Sequence, residues 1–388
     1  MPAPAHRAAT AAWWAAALLL ASTLLVVTGF RTHDADSRVY ITIAGHLADQ
    51  PIDRWIAPQW WGVWGMQGLY REHPIGTFIP PALLIRAGVP GAQAAFIVCF
   101  AAQMICLWLL VALAATRVPV AWARALLWTL QLIPVAFVFR IRANQEYLML
   151  AGFIVALYGT ERARRDPAWV IVALMGFLYA LSVKGMLALI GPPLCAVWLL
   201  TTSERERRWP LAAWAGVALM MISTPVVAAL YERAYASVTG DSFLHYYLGL
   251  RLGLEGDGGS GWPFPFNKIW NAGWYAAHVA WYGAPWSALL AGGIVTWGAW
   301  RKADVETRGW LRFALLASLA VIAVVASREL RSDRYTFPAY FIAGAGGTVL
   351  AAAWWPRCAR WTEALDRVWP WGPAVLWFVL FLTRLALR

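Results

Sequence analysis

Charge is scarce in this sequence. Only 13% of the 388 residues are Asp, Glu, Lys or Arg, about half the share found in soluble domains. Cysteine is scarce as well. Cys99, Cys106, Cys195 and Cys358 are scattered, three of them inside apolar runs. Their spacing fits neither a disulfide framework nor a metal site. No internal repeat and no low-complexity tract appears. Together these absences exclude a soluble globular enzyme, a disulfide-stapled secreted domain and a solenoid.

Long hydrophobic runs take their place. Apolar residues make up 61% of the chain, the mean hydropathy is +0.56, and there are 27 tryptophans, many near the ends of apolar runs where amphipathic rings settle at the headgroup level. The chain reads as an all-α, polytopic membrane protein. Its net charge of +12 records topology rather than nucleic-acid binding, because Lys and Arg concentrate in cytoplasmic connectors.

A bilayer core needs about 20 apolar residues per helix. The runs 12–30, 92–115, 121–139, 144–160, 167–183, 185–201, 210–230, 273–299, 309–327, 335–355 and 369–386 meet or approach that length, giving about 11 membrane helices (about 10–13). The first is too long and Trp-rich for a cleaved signal and reads as a retained anchor. Residues 74–89 are apolar but short and proline-rich, and fit an interfacial element. The Arg-rich connectors "TRVPVAWAR", "ERARR", "SERERR", "RKADVETR" and "RCARWTEALDR" all fall on the cytoplasmic side if the N-terminus is inside and 74–89 does not cross. Two long loops, 31–91 and 231–272, then lie outside, and the chain ends on a span with no soluble C-terminal domain. The whole of 1–388 reads as one membrane domain. In the first loop, "DRWIAPQWWGVWGMQGLY" (53–70) reads as an amphipathic interfacial helix more readily than as a sugar platform.

The outer side carries cations that the positive-inside rule disfavours: Arg140, Arg142, Lys184, Arg328, Arg331 and Arg334 in short turns, and Arg31, Arg38, Arg71 and Arg251 in the long loops. Some would cap helices or pair with Glu146, Glu329 and Asp333. As a set they suit a lipid phosphate. Lys184, between two strongly apolar runs in "LSVKGML", needs a counter-charge. The first loop opens with "THDADSRVY" (32–40), which puts Asp34 and Asp36 just past the first span. A carboxylate there can serve as general base towards an acceptor hydroxyl within hydrogen-bond reach. His33, His46 and His245 lack metal spacing, and His278 reads as a packed, hydrogen-bonded residue.

At these residues the chain resembles the bacterial C-type (GT-C) membrane glycosyltransferases, near the protein O-mannosyltransferases and lipid A aminoarabinose transferases. That family carries an Asp-Glu-x-x-Tyr-like motif after the first span. Here "DSRVY" aligns Asp36 and Tyr40, with Ser37 where the family has Glu. "EHPIGTFIPPALLIRAGVPG" (Glu72, His73, Pro74) follows a Lys/His-Pro-Pro-Leu-like stretch with Ile75 for the second proline. "RANQEYLMLAGFIVALYG" supplies Glu146, and "LSVKGMLALIGPPL" supplies Lys184 with Met186 for proline. "DSFLHYYLGLR", "APWSALL" and "SDRYTFPAYFIAGAGG" complete seven fragments in family order.

The resemblance implies a polyprenyl-phosphate sugar as donor, a lipid, glycan or protein hydroxyl as acceptor, and inversion at the anomeric carbon. Asp36 would be the base. Lys184 with Arg331 or Arg334 would hold the donor phosphate. Glu72, His73 and Glu146 would orient substrates or hold a divalent metal, with no metal ligand set assigned. Tyr40, Tyr335 and the outer tryptophans would line the site, and Asp34 would lie behind it. The partners are the bilayer and these substrates, not nucleic acid, and the location is a bacterial inner membrane with the site facing outwards. A flippase for a lipid-linked sugar would share the cations and the apolar groove but needs no general base. A non-catalytic assembly subunit would need neither.

Overall fold

The computed structural model describes residues 34–116, 133–140, 142–202, 210–252, 265–287, 303–327 and 331–354, with isolated positions elsewhere. The expected spans 12–30 and 369–386 lie outside the described residues apart from such positions, as do most of 121–132, all of 291–299, Arg31, His33 and Arg328. The helices are α1 (Ala35–Asp49), α2 (Ile79–Arg86), α3 (Gly91–Ala114), α4 (Pro134–Arg140), α5 (Gln145–Ala163), α6 (Trp169–Lys184), α7 (Gly191–Thr202), α8 (Leu211–Thr239), α9 (Phe243–Leu252), α10 (Phe266–Tyr282), α11 (Val305–Ala326) and α12 (Phe337–Trp354).

Among the described residues, four segments are long and apolar enough to cross a membrane: Gly91–Ala114, Trp169–Thr202, Leu211–Thr239 and Val305–Ala326. The second is not one rod. Lys184, at the end of α6, meets Glu146 at the start of α5. Gly191 lies against Phe153 and Phe177, and Trp198 Nε1 donates to Glu161 at 2.8 Å near the far end of α5. The chain therefore turns back at Gly185, so that α6 and α7 run antiparallel.

Helix α5 is the axis of the bundle and is buried on nearly every side. It runs antiparallel to α6 at a separation only glycine permits. A Cβ at Gly152 would stand 2.7 Å from the Gly176 carbonyl, and one at Gly159 would stand 2.6 Å from Ala173 N. Small residues at such a seam let backbones approach, which replaces the hydrophobic drive that is missing in lipid. Screened by its neighbours, α5 tolerates Glu146 and Glu161 inside the bundle. Helix α8, by contrast, exposes Leu211, Leu219, Met221, Ile222, Val226 and Leu230, as a lipid-facing helix does.

The two ends of the bundle differ. At one, Arg164 pairs with Glu161 at 2.9 Å and donates to Thr202, and Gly309 abuts Thr201. These belong to or adjoin the Arg-rich connectors. At the other end stand Asp36, Glu146, Lys184 and Arg334, beneath a cap made of residues 34–90.

The cap has its own core. Val39, Tyr40, Ile43 and Leu47 of α1 pack on Trp55, Trp60, Tyr70, Phe78 and Ala82. Trp60 and Phe78 each meet Tyr70 edge-on, at 4.8 and 5.3 Å. The helix expected over 53–70 does not form. Trp60 N donates to Gly68 O at 2.9 Å and Tyr70 N to Pro58 O at 2.7 Å, which folds the segment back on itself. Gly62, Gly65 and Gly68 all take positive φ (74°, 75° and 87°). Glycine at every third position favours turns over a continuous helix. The α-helices within residues 34–90 are α1 and α2.

Candidate active site

Asp34 caps α1, accepting from Ser37 N at 3.0 Å and from Ser37 Oγ at 2.6 Å. A short acceptor at the N-cap satisfies a backbone donor that the helix leaves free. Ser37 is fully buried, and its hydroxyl also accepts from Ala143 N at 3.0 Å. Arg142 Nε pairs with Asp34 Oδ1 at 3.5 Å. One serine thus ties the start of α1 to the turn that begins α5. The acid that the resembled motif would place at position 37 has no room here, and the position does a tethering job instead. Asp36, in the first turn of α1, is free of that work.

Arg334 comes to Asp36 from the 3₁₀ turn Asp333–Thr336 and hydrogen-bonds its carboxylate. Phe337, just behind, packs edge-on against Phe139 and Tyr147, and Ser332 N donates to Tyr275 Oη at 3.2 Å. Burial alone would lower the pKa of Arg334. The carboxylates of Glu146 and Asp36 outweigh burial and hold it above the ordinary value. Tyr40 is buried on α1 close to the same charges. Burial first, then Glu146 and Asp36, push its phenol well above the usual tyrosine range, so it stays a neutral hydroxyl. Tyr335 is buried beside Arg334, whose guanidinium lies 6.0 Å from its ring centroid.

Lys184 Nζ lies 3.2 Å from Glu146 Oε1, with side chains 4% and 1% exposed. The lysine ends α6 because Gly185 takes φ 56°. A Cβ there would stand 2.2 Å from Tyr247 Oη. That hydroxyl accepts from Met186 N at 2.9 Å and donates to Lys184 O at 3.2 Å, so Tyr247 of α9 locks the turn. From the cap, Gly76 presses on Ser182, where a Cβ would stand 2.2 Å from the Oγ. Thr77 Oγ1 donates to Val183 O at 3.5 Å. His73 is buried and Glu72 half-buried in this same stretch, with Glu72 within electrostatic reach of Tyr40.

Asp36, Arg334, Glu146 and Lys184 therefore form a row of alternating charge running inwards from the cap. Its outer end opens on a cavity of about 430 Å³. Its wall combines the polar side chains of Asp36, Arg142, Ser332 and Arg334 with the apolar ones of Pro134, Val135, Val138 and Phe139 and the ring of Tyr282, and Arg142 lies over the Phe139 ring at 5.1 Å. The cations at this wall are Arg334 and Arg142. The second belongs to the outer cation set but not to the phosphate pair expected from the motifs. Lys184 and Glu146 stand behind the wall. Arg331 is half-buried and off it. Arg140 turns inward, donates to Gln131 O at 2.6 Å and is 4% exposed. It anchors the backbone rather than joining the anion-facing set. The side chain of Arg251 is not among those described.

Among the described residues no group of three or more His, Cys, Asp or Glu could hold a metal ion. A larger cavity, about 570 Å³, lies elsewhere, between the tip of the cap and the end of α8.

No family model and no curated protein matches the sequence. Among solved structures the fold is similar to ArnT from Cupriavidus metallidurans bound to undecaprenyl phosphate (16% identity, TM-score 0.64) and to the same protein in the apo state (14% identity, TM-score 0.64). Each alignment covers 89% of this chain and 61% of that one, so the chain spans about three-fifths of the ArnT length. At such identity the likeness is one of fold. The chain is an integral membrane protein with the GT-C-like fold that its motifs imply.

Proposed function

We propose that the protein transfers a sugar from a polyprenyl-phosphate donor to a hydroxyl of a lipid, glycan or protein acceptor, with inversion. The observation that carries this reading is the meeting of Asp36 and Arg334, 298 residues apart in sequence, at a cavity lined by cationic, acidic and apolar side chains together. Such a lining suits a phosphate that carries an apolar chain. The binding of undecaprenyl phosphate by ArnT, a protein of the same fold, supports the choice of donor.

In this reading Asp36 takes the proton of the acceptor hydroxyl, whose oxygen bonds to the anomeric carbon as the bond from that carbon to the phosphate oxygen breaks. Polyprenyl phosphate leaves with the electron pair. Arg334 and Arg142 stabilise the charge that develops on it, the largest single catalytic effect in most such sites. Arg334 holds one Asp36 oxygen with one of five N–H donors, leaving the others for phosphate and the second carboxylate oxygen for the acceptor. Arg331 adds positive charge near the cavity. Lys184 backs the phosphate site through Glu146, which neutralises it in the buried row. Asp34 fixes α1, while Tyr40, Tyr335, Glu72 and His73 orient the substrates. Residues 31–91 form the catalytic cap and 231–272 the second outer loop of a single membrane domain. The connector "ERARR" (161–165), at the opposite end of α5 from Glu146, and the Arg-rich character of the other connectors in the sequence support a site facing outwards from a bacterial inner membrane.

The test is purified protein in proteoliposomes with defined polyprenyl-phosphate sugars. Transfer yields a glycoside together with free polyprenyl phosphate. Movement of the intact lipid-linked sugar between leaflets, with no bond cleaved, would replace this reading with that of a flippase.

A further inference from the structure

The larger cavity has the chemistry of a different ligand. It lies about 20 Å from Asp36 along α1, which links the two in a single rigid helix of 15 residues. Asp49 and Gln50 at the end of α1, Arg54, Gln59 and Trp61 of the cap, and Thr239 at the end of α8 present planar polar groups and hydroxyls around one indole. Trp61 is 46% exposed on one side. On the other it stacks on His46 at 4.5 Å and 15°. Thr239 lies about 9 Å of helix rise beyond the Glu232–Arg233 pair that ends the apolar part of α8, which places the groove in water rather than in lipid.

The backbone adds a second reason. Trp61 has φ 52°, a left-handed conformation that glycine adopts freely and that strains an L side chain. The loop uses glycine for the same purpose at 62, 65 and 68. At 61 and 64 it keeps large, exposed tryptophans instead (φ 52° and 53°), and Trp61 is the one of the two that lines the groove. Outliers of this kind cluster where a side chain meets a ligand.

We propose that this groove is a carbohydrate subsite. One pyranose ring stacks its C–H face on Trp61, and Asp49, Arg54 and Gln59 bond the hydroxyls of that ring and its neighbour. Its use for the remote part of a glycan acceptor rests on the transfer reading given above; the binding does not.

The experiment uses the full chain in nanodiscs against an array of oligosaccharides covering the common hexoses, hexosamines, pentoses and deoxyhexoses. The strongest binder is then titrated against wild type, Trp61→Gly, Gln59→Ala and Asp36→Asn. Trp61→Gly relieves the backbone strain and Gln59 is exposed, so both variants should melt no lower than wild type. Each should weaken oligosaccharide binding about tenfold or more, while Asp36→Asn binds normally. Absence of binding across the array overturns the proposal. So does binding indifferent to both groove variants, or a loss confined to association with phosphatidylglycerol vesicles, which marks Trp61 as a headgroup anchor. If the wild type cleaves no polyprenyl-phosphate sugar while groove binding behaves as stated, the transfer reading fails and the subsite stands.

Discussion

Replacing Lys184 by methionine leaves the Glu146 carboxylate buried without its closest cation. At 3.2 Å and an effective dielectric near 20, the direct attraction is about 5 kcal/mol. Much of this offsets desolvation of two side chains that are 4% and 1% exposed. Removing one partner of a buried pair nonetheless costs about 3–5 kcal/mol, because the other charge stays behind. Replacing both by apolar residues of similar volume is often neutral or stabilising. Lys184→Met and Glu146→Leu should therefore each lower stability strongly, and the two together should recover most of the loss. Equilibrium unfolding in mixed micelles across the four-protein cycle measures the coupling. A coupling energy below about 1 kcal/mol, the range of exposed pairs, would refute the buried pair and with it the alternating row that places Arg334.

Three further outcomes follow from the same geometry. Ser37→Ala strips a partner from Ala143 N and from Asp34 and should cost about 1–3 kcal/mol, with a fall in turnover; Ser37→Glu should not restore activity, which a transfer assay on folded protein checks. Gly76→Ala brings a methyl 2.2 Å from Ser182 Oγ and 2.6 Å from its backbone, so the cap should lift from α6 and be cut faster in limited proteolysis. Arg71 clasps the cap to α8 and α9 through Tyr235 Oη at 3.1 Å and through Asp241. Bonds from Ser242 N and Arg71 depress the pKa of Asp241. The clasp is therefore complete above the ordinary aspartate pKa, about 3.9, and is lost as pH falls through the lower folded value. Cleavage of the cap should accelerate only in strong acid, and Asp241→Asn should show that faster cleavage already at neutral pH.

Much of this arrangement could be read before any coordinates. Within the described residues the connector "ERARR" (161–165) lies at one end of α5 and the cluster of Asp36, Glu146, Lys184 and Arg334 at the other. Lys184 and Glu146 could both be named, yet their pairing joins residues 38 apart across a turn, which periodicity does not encode. Arg142 and Arg140 differ by two positions and point to different places. No helix forms through 53–70, because Gly62, Gly65 and Gly68 at positive φ outweigh the apolar spacing of that stretch. Ser37 and Tyr247 carried no signal, since each acts through one hydroxyl on a distant backbone. An aligned family could have marked both as invariant.

The most direct test is turnover of Asp36→Asn with a polyprenyl-phosphate sugar and its acceptor. Asparagine keeps the shape of the side chain and a bond from Arg334 but cannot take the proton. Turnover should fall by about 100-fold or more, the usual effect of losing a general base, with donor binding and melting unchanged. Turnover within about threefold of wild type, well short of that effect, would contradict the assignment of Asp36 as the base.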